Sequence, residues 1–281
     1  MLYRKLGRTG VDVSVVGLGC EHLENKPYEQ VKEVIDAAIE GKINYLDMFM
    51  SNPAIRDDIG KALKGQRDKI MVQAMVGSMW EDGQCIPGRD MKKTEYMFDD
   101  ILKRLQTDYV DTASIFFVDT EQQLDKVLSS GGQLEFAQKL KQQGKARFIG
   151  MSSHVASVAA RAIETGAIDV LMFPVNPAFD MLSGIDNIDN LFSAEEYKKQ
   201  QGAGISEDRQ RLYRACEKHG TAVVTMKTFA AGWLLQKDNI SGMTLTPEQC
   251  IHYALSRPSV VSTLIGCKTR AEVEAALNYL H

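Results

Sequence analysis

Eight short apolar runs alternate with helical patterns along the whole chain, and this alternation limits the fold more than any other feature. Each run has the length of a strand and is mainly apolar, which is typical of parallel strands covered on both faces. The segments between them carry apolar residues at helical spacing. The predicted strands cover residues 15–19, 43–49, 69–76, 109–118, 146–151, 169–175, 222–227 and 260–265.

Eight strand–helix units in 281 residues predict an α/β fold, the (β/α)8 TIM barrel, whose usual length is about 250 residues. A short N-terminal β-hairpin over residues 2–13 precedes the first barrel strand. No linker or change in composition divides the sequence, so we expect a single domain over residues 1–281. Because all strands of such a barrel end at one face, side chains that follow different strands meet around one opening.

A Rossmann fold is the alternative that the first strand raises. Gly17-Leu18-Gly19 follows a strand and Asp47 ends the next one, which imitates the dinucleotide-binding fingerprint and its acidic partner. His22 stands at the third glycine position, where a bulky side chain obstructs close helix–strand packing. The later units also do not fit a six-stranded sheet, so the barrel is the favoured prediction.

Charge and hydropathy exclude several kinds of partner. The net charge is −4 with 25% charged residues, so no basic field favours nucleic acid or an anionic membrane. No apolar run reaches the roughly 18 residues of a membrane span. The first residues also lack the apolar core of a signal peptide, and we expect a cytoplasmic protein. The five scattered cysteines show no spacing suited to zinc, and no metal site is predicted.

The segment from Pro177 to Ile205 is too long for a plain connection in a compact domain, which suggests a function. Its carboxylates show no repeated metal-ligand spacing, and we interpret the segment as a solvated lid. These carboxylates are Asp180, Asp186, Asp189, Glu195 and Glu196.

Short motifs in order along the chain resemble the aldo-keto reductase family. They are YRKLGRTG (3–10), VSVVGLG (13–19), GKALK (60–64), LQTDYVD (105–111), GKARFIGMSSH (144–154), MKTFAAG (226–232) and LIGCK (264–268). Together they are highly specific for the family, although each alone is weak. The resemblance implies a TIM barrel, a nicotinamide cofactor, NADP (or NAD), and a small-molecule carbonyl or alcohol substrate.

The resemblance also implies four catalytic residues at strand ends, of which this chain keeps one. In the family a tyrosine donates the proton, a lysine and an aspartate tune its pKa, and a histidine orients the substrate. The aspartate corresponds to Asp47, while Asn52, Met75 and Phe116 stand at the other three positions. An asparagine donates a hydrogen bond but gives up no proton near neutral pH, so the standard mechanism is not expected.

His22 is the candidate replacement for the missing proton donor. It follows the first strand beside Glu21, and we expect both at the same opening as Asp47. An imidazole next to a carboxylate exchanges protons near neutral pH. The predicted catalytic set is therefore Asp47, Asn52 and His22. The alternative for His22, a loop residue satisfied by the backbone, stays open.

For the cofactor, the resemblance assigns three segments of the opening. Ser152, Ser153 and Asn176 correspond to the residues that hold the nicotinamide amide, with Ser153 in place of the family's asparagine. The loop after the seventh strand would wrap the pyrophosphate, and the start of the last helix has N–H groups that attract phosphate. These two segments contribute Lys227, Phe229, Ala231, Gly232, Gly266, Lys268, Thr269 and Arg270.

Lys268 and Arg270 are expected to favour NADP over NAD by holding a 2′-phosphate, and the alternative is that they are two solvated charges. The favoured function is an aldo-keto-reductase-like NAD(P)H-dependent oxidoreductase with a non-standard acid–base set. Two alternatives remain: a catalytically silent barrel that binds the cofactor as a sensor or partner subunit, and an enzyme that holds NAD(P) tightly for a reaction without net redox change.

Overall fold

The computed structural model describes residues 1–181, 195, 204–237 and 244–280. Within these residues the predicted strands close into a parallel (β/α)8 barrel, preceded by the expected N-terminal hairpin. In chain order the strands are β1 (Tyr3–Lys5), β2 (Asp12–Ser14), β3 (Val16–Gly19), β4 (Tyr45–Met48), β5 (Met71–Val76), β6 (Ser78–Glu81), β7 (Gln84–Pro87), β8 (Val110–Ile115), β9 (Ala146–Ser152), β10 (Val170–Pro174), β11 (Ala222–Met226) and β12 (Val260–Gly266).

The barrel runs β3-β4-β5-β8-β9-β10-β11-β12 and closes between β12 and β3. Because the pairing is parallel, Gly19 at the end of β3 lies beside both Asp47 and Gly266. On the far side of the barrel, Pro174 pairs with Met226. The strand ends therefore border one opening, as the fold predicts.

Helices follow the barrel strands and pack on their outer face, where a large apolar cluster joins the two layers. Several begin at the caps that the sequence carries, such as the reciprocal capping boxes of Thr120 and Thr246. The helices are α1 (Tyr28–Glu40), α2 (Pro53–Leu63), α3 (Met91–Arg104), α4 (Glu121–Leu128), α5 (Gln133–Gln142), α6 (Ala156–Glu164), α7 (Glu207–His219), α8 (Pro247–Leu255) and α9 (Arg270–Leu277). In the described part of the chain, none of them is both long and apolar enough to cross a bilayer.

The segment 77–89, which follows the third predicted strand, is largely a hairpin. β6 and β7 pair in antiparallel register, with Trp80 opposite Cys85. Asp82 and Gly83 form the turn with φ of 51° and 76°, the left-handed pair that a tight hairpin turn requires. An Asp-Gly pair between short strands is the sequence signal for this turn, and the sequence analysis did not use it.

The interpretation of Asp180 as part of a solvated lid is wrong. Asp180 is fully buried, and its carboxylate accepts from Arg209 Nη1 at 2.7 Å, Tyr213 Oη at 3.1 Å and Tyr253 Oη at 3.0 Å. The N–H of Ser206 also donates to the Asp180 carbonyl at 2.8 Å. Glu195 is exposed, while Asp186, Asp189 and Glu196 lie outside the described residues.

Candidate active site

Asp47 ends β4 inside the barrel, where it is only 2% exposed. Gln73 Nε2 donates a hydrogen bond to Asp47 Oδ1 at 2.8 Å. Burial raises the pKa of Asp47 to about 7, opposed by the Gln73 hydrogen bond and supported by the negative charge of Glu21. This carboxyl group therefore exchanges a proton near neutral pH.

Gln73 is held by a second buried polar group. The Tyr45 hydroxyl donates to Gln73 Oε1 at 2.8 Å, which turns the amide nitrogen towards Asp47. The same nitrogen lies 3.2 Å from Met172 Sδ. The sequence analysis missed Gln73, since the resemblance points two residues further on, to Met75. The available signal was a single amide within the apolar strand MVQAMV.

Apolar side chains stand at the two positions that are predicted to correspond to the family's lysine and histidine. Met75 is 1% exposed and Phe116 is 7% exposed, and both belong to the cluster inside the barrel. The half-buried Phe49 stacks on Phe116 with ring centroids 6.2 Å apart. These two positions thus bring no cation near Asp47 that would lower its pKa.

Asn52, the predicted hydrogen-bond donor, is half-buried at the start of α2. Its Oδ1 accepts from the N–H of Ala54 at 3.0 Å, which is the usual bond of an N-terminal cap. The carbonyl end of the side chain is therefore occupied by the helix, and its amide nitrogen is the end available for donation.

His22 lies on the rim of the opening. It is exposed in the short turn Glu21–Leu23 after β3, and its ring rests against Gly266, where an added Cβ would come 2.5 Å from His22 Cδ2. Glu21, the neighbouring residue, is the one whose charge acts on Asp47. The structure therefore places His22 beside the end of β12.

A left-handed residue between β8 and α4 supports Ser152. Phe117 has φ of 53°, which is unfavourable for a bulky side chain. Arg89 Nη2 donates to the carbonyls of Phe116 and Phe117 at 2.9 and 2.7 Å, and the N–H of Phe117 donates to Ser152 Oγ at 2.9 Å. Strain held in this way is common at functional sites, and it fixes the Ser152 hydroxyl at the end of β9.

Ser153 points instead towards a buried carboxylate. Asp119 accepts from Ser153 Oγ at 3.2 Å and from the N–H of His154 at 2.7 Å. Its second oxygen lies 2.9 Å from His154 Nδ1. Asp119 and His154 are each only 6% exposed. The sequence analysis did not predict this group, because its members come from two different strand ends.

Asn176 uses its whole side chain within the protein. Nδ2 donates to the Lys227 carbonyl at 2.9 Å, and Oδ1 accepts from the N–H groups of Ala178 and Phe179 at 3.1 and 2.9 Å. Asn176 is completely buried. It therefore fixes the loop after β11 rather than presenting its amide to a ligand.

The loop after β11 contains a concentration of left-handed residues. Lys227, Ala230, Ala231 and Gly232 have φ of 54°, 48°, 55° and 86°. Backbone N–H groups in such turns form concave sites for anions. A Cβ added at Gly232 would meet nothing within 4 Å, so there is open space beside the loop. Within the loop, where Phe229 is half-buried, the N–H groups of Ala230 and Gly232 donate to the Lys227 and Phe229 carbonyls at 2.8 and 3.0 Å. A pyrophosphate would therefore have to bond other N–H groups of the loop.

The start of α9 is occupied by its own side chains. Glu272 Oε2 accepts from the N–H of Lys268 at 2.6 Å, and Thr269 Oγ1 accepts from the N–H of Glu272 at 3.3 Å. Arg270 Nη1 donates to Glu40 Oε2 at 2.7 Å, and this bond raises the pKa of Arg270. The open side of the loop at Gly232 is therefore the part of this region that best fits a dinucleotide, whereas Ser153, Asn176 and Arg270 are engaged within the protein.

An open depression of about 790 Å³ lies at the opposite end of the barrel. Its lining comes from the segments that precede β5 and β8, including Arg67, Asp68, Thr107 and Tyr109. This depression is therefore remote from Asp47 and takes no part in the site.

Comparison with known proteins gives a consistent picture. The model of the aldo/keto reductase family matches residues 15–248. An uncharacterised oxidoreductase of Bacillus subtilis, YqkF, is 31% identical over 177 residues, which cover 61% of this chain and about half, 55%, of that protein. L-galactose dehydrogenase of Arabidopsis thaliana is 25% identical over 292 residues, covering 96% of this chain and 85% of that protein.

Among solved structures, the holo form of aldo-keto reductase AKR11C1 from Bacillus halodurans has a TM-score of 0.75. The two sequences are 22% identical, and the alignment covers all of this chain and 91% of the AKR11C1 chain. This similarity supports the barrel fold.

Proposed function

Since the chain belongs to the aldo/keto reductase family, we propose that it is an NAD(P)-dependent oxidoreductase that interconverts a small carbonyl compound and its alcohol with a non-standard acid–base set. The observation that carries this proposal is the buried carboxyl of Asp47, whose pKa burial raises to about 7. Such a group is half-protonated at neutral pH and serves both directions of the reaction.

Asp47 takes the part of proton donor to the carbonyl oxygen. Gln73 occupies Oδ1 at 2.8 Å, which leaves Oδ2 to carry the proton. When bound, the nicotinamide would supply the hydride for carbonyl reduction or accept it from the alcohol. Asn52 donates a hydrogen bond from its amide nitrogen to the carbonyl oxygen of the substrate. His22 stays a predicted acid–base residue, and unchanged turnover in His22→Ala would remove it.

The apolar residues around Asp47 keep the site dry. Met75 and Phe116 are nearly inaccessible to solvent, and Phe49 covers Phe116. Excluding water sustains the raised pKa and strengthens each polar interaction with the developing charge on oxygen. The half-buried Phe49 favours substrates with a small apolar part next to the carbonyl group.

Three segments hold the nucleotide in this proposal. Ser152 bonds the nicotinamide amide, and its hydroxyl is fixed by the N–H of Phe117. The left-handed loop over 227–232 receives the pyrophosphate on N–H groups other than those of Ala230 and Gly232, which bond within the loop. Residues 266–270 adjoin the adenosine end. Asn176 and Ser153 act on this site through the backbone that they fix.

A catalytically silent barrel that binds the nucleotide is the second candidate. The observation that favours it is the packing of Met75 and Phe116 into the core of the barrel, because neither side chain carries a proton or a charge. In this case the nucleotide site persists and the site beneath it performs no reaction.

One set of assays separates the two candidates. Fluorescence titration with NADH and NADPH measures binding, and loss of nicotinamide absorbance over a panel of aldehydes, ketones and sugars measures turnover. Sugars are included because one relative is named a galactose dehydrogenase. Binding with turnover supports the oxidoreductase, binding without turnover supports the silent barrel, and failure to bind either nucleotide contradicts both.

A further inference from the structure

We propose that Glu272 makes this protein select NAD(H) over NADP(H), an inference that rests on the nucleotide site proposed above. It reverses the expectation from sequence that Lys268 and Arg270 favour NADP. The reason is the arrangement of carboxylates at the start of α9.

The donors that would receive a 2′-phosphate at this helix start already have partners. Glu272 Oε2 accepts from the N–H of Lys268 at 2.6 Å, a short bond typical of a charged acceptor. Gln30 Nε2 donates to the Lys268 carbonyl at 2.6 Å, so both backbone groups of Lys268 are fixed. An entering phosphate would have to displace a carboxylate from a restrained segment.

The arginine that would neutralise a phosphate is also engaged. Arg270 Nη1 lies 2.7 Å from Glu40 Oε2, and two further carboxylates, Glu33 and Glu274, approach the guanidinium to 3.9 Å. With Glu272, four carboxylates gather around the two cations Lys268 and Arg270. The local charge is therefore negative where a 2′-phosphate would sit.

The two cofactors differ in the group that faces this region. NADP carries a 2′-phosphate with a charge between about −1.5 and −2 near neutral pH, which the Glu272 carboxylate repels. NAD carries a 2′-hydroxyl, which donates a hydrogen bond to a carboxylate, as an acidic residue does in other dinucleotide sites. Glu272 thus favours one nucleotide and opposes the other.

The test is fluorescence titration of the full chain with NADH and with NADPH, paired with the thermal shift that each nucleotide produces. We expect NADH to bind at least about tenfold more tightly. Glu272→Gln keeps an acceptor for the Lys268 N–H and removes the charge, so NADPH binding should tighten about tenfold. Raising the salt concentration should narrow the preference of the unmodified chain.

Glu135→Gln is the matched control. Glu135 Oε2 bonds the N–H of Gly131 at 2.8 Å at the start of α5, the same kind of bond at a helix outside the site. This variant should leave both dissociation constants within about twofold. Glu40→Gln is an independent variant that releases Arg270, and it should tighten NADPH binding while NADH binding stays constant.

Equal or tighter binding of NADPH by the unmodified chain would overturn the inference and leave the proposed function standing. A Glu272→Gln variant that folds and keeps the NADH preference would also overturn it. Failure of both nucleotides to bind the unmodified chain would instead refute the nucleotide site itself.

Discussion

The floor of the opening (Asp47, Gln73, Met75 and Phe116) and its rim (the loop over 227–232) differ in what their proposed roles depend on. At the floor the proposed chemistry depends on side chains, and Met75 and Phe116, which are predicted to correspond to the family's lysine and histidine, are packed in an apolar cluster. At the rim, the proposed role of the loop over 227–232 depends on its left-handed backbone conformation, which needs residues that tolerate positive φ but no particular side-chain chemistry. The contrast teaches that a backbone site tolerates substitutions that change the chemistry of a side-chain site.

The largest effect should come from removing the proton at the floor. Asp47→Asn keeps the hydrogen bond from Gln73 but has no acidic proton to give to the substrate, so carbonyl reduction should fall by about 10²–10⁴-fold. Nucleotide binding, measured by fluorescence, should stay nearly constant. In the unmodified protein the reduction rate should decline as pH rises through about 7, where Asp47 ionises. Turnover unchanged in the variant would show that the floor is not the source of protons.

The same substitution should alter the pH dependence of stability. The folded pKa of Asp47, about 7, exceeds its unfolded value of about 3.9, so its contribution is present below pH ~4 and is lost as pH rises towards 7. Asp47→Asn should therefore be more stable than the unmodified protein at pH ~8, by about 2–4 kcal/mol, and similar near pH ~4. Urea unfolding at several pH values measures this, and a constant difference would contradict it.

A change of backbone conformation should damage the rim but not the floor. Gly232→Val places a β-branched residue at φ of 86°, which costs about 1–2 kcal/mol and should weaken nucleotide binding about tenfold. Gly144→Val is the control, because Gly144 has φ of 73° and equally open surroundings before β9. It should lower stability by a similar amount and leave the dissociation constant unchanged; equal losses of binding would argue against a nucleotide at the loop.

The smallest effect should distinguish the two serines after β9. Ser152→Ala removes the hydroxyl that is proposed to bond the nicotinamide amide, and nucleotide binding should weaken by about threefold to tenfold. Ser153→Ala removes a bond to Asp119 and should change binding by less than about twofold. The reverse order would mean that Ser153 is the nicotinamide contact.

The sequence predicts the barrel well, because strand length and helical spacing are local properties. The strand predicted over residues 222–227 is observed at Ala222–Met226, and the motifs identify the ends of strands that meet. Side-chain partners were harder to predict: Gln73 binds Asp47 across neighbouring strands, and Asp119 binds His154 from the next strand end. Such pairs depend on register and rotamer, which no local pattern encodes. Asp180 was misread for the same reason, because its neighbours in the sequence do not show that Arg209, Tyr213 and Tyr253 bind its carboxylate in the interior.

The buried ion pair of Asp180 and Arg209 has a consequence for engineering. It ties residue 180 to the first turn of α7, and Ser206 adds a backbone bond to the same residue. These bonds hold residues 180 and 206 together whatever sequence lies between them. Exchanging the residues between 181 and 204 for a stretch of different length should therefore leave the barrel strands untouched, which makes this position suitable for inserting a new recognition element.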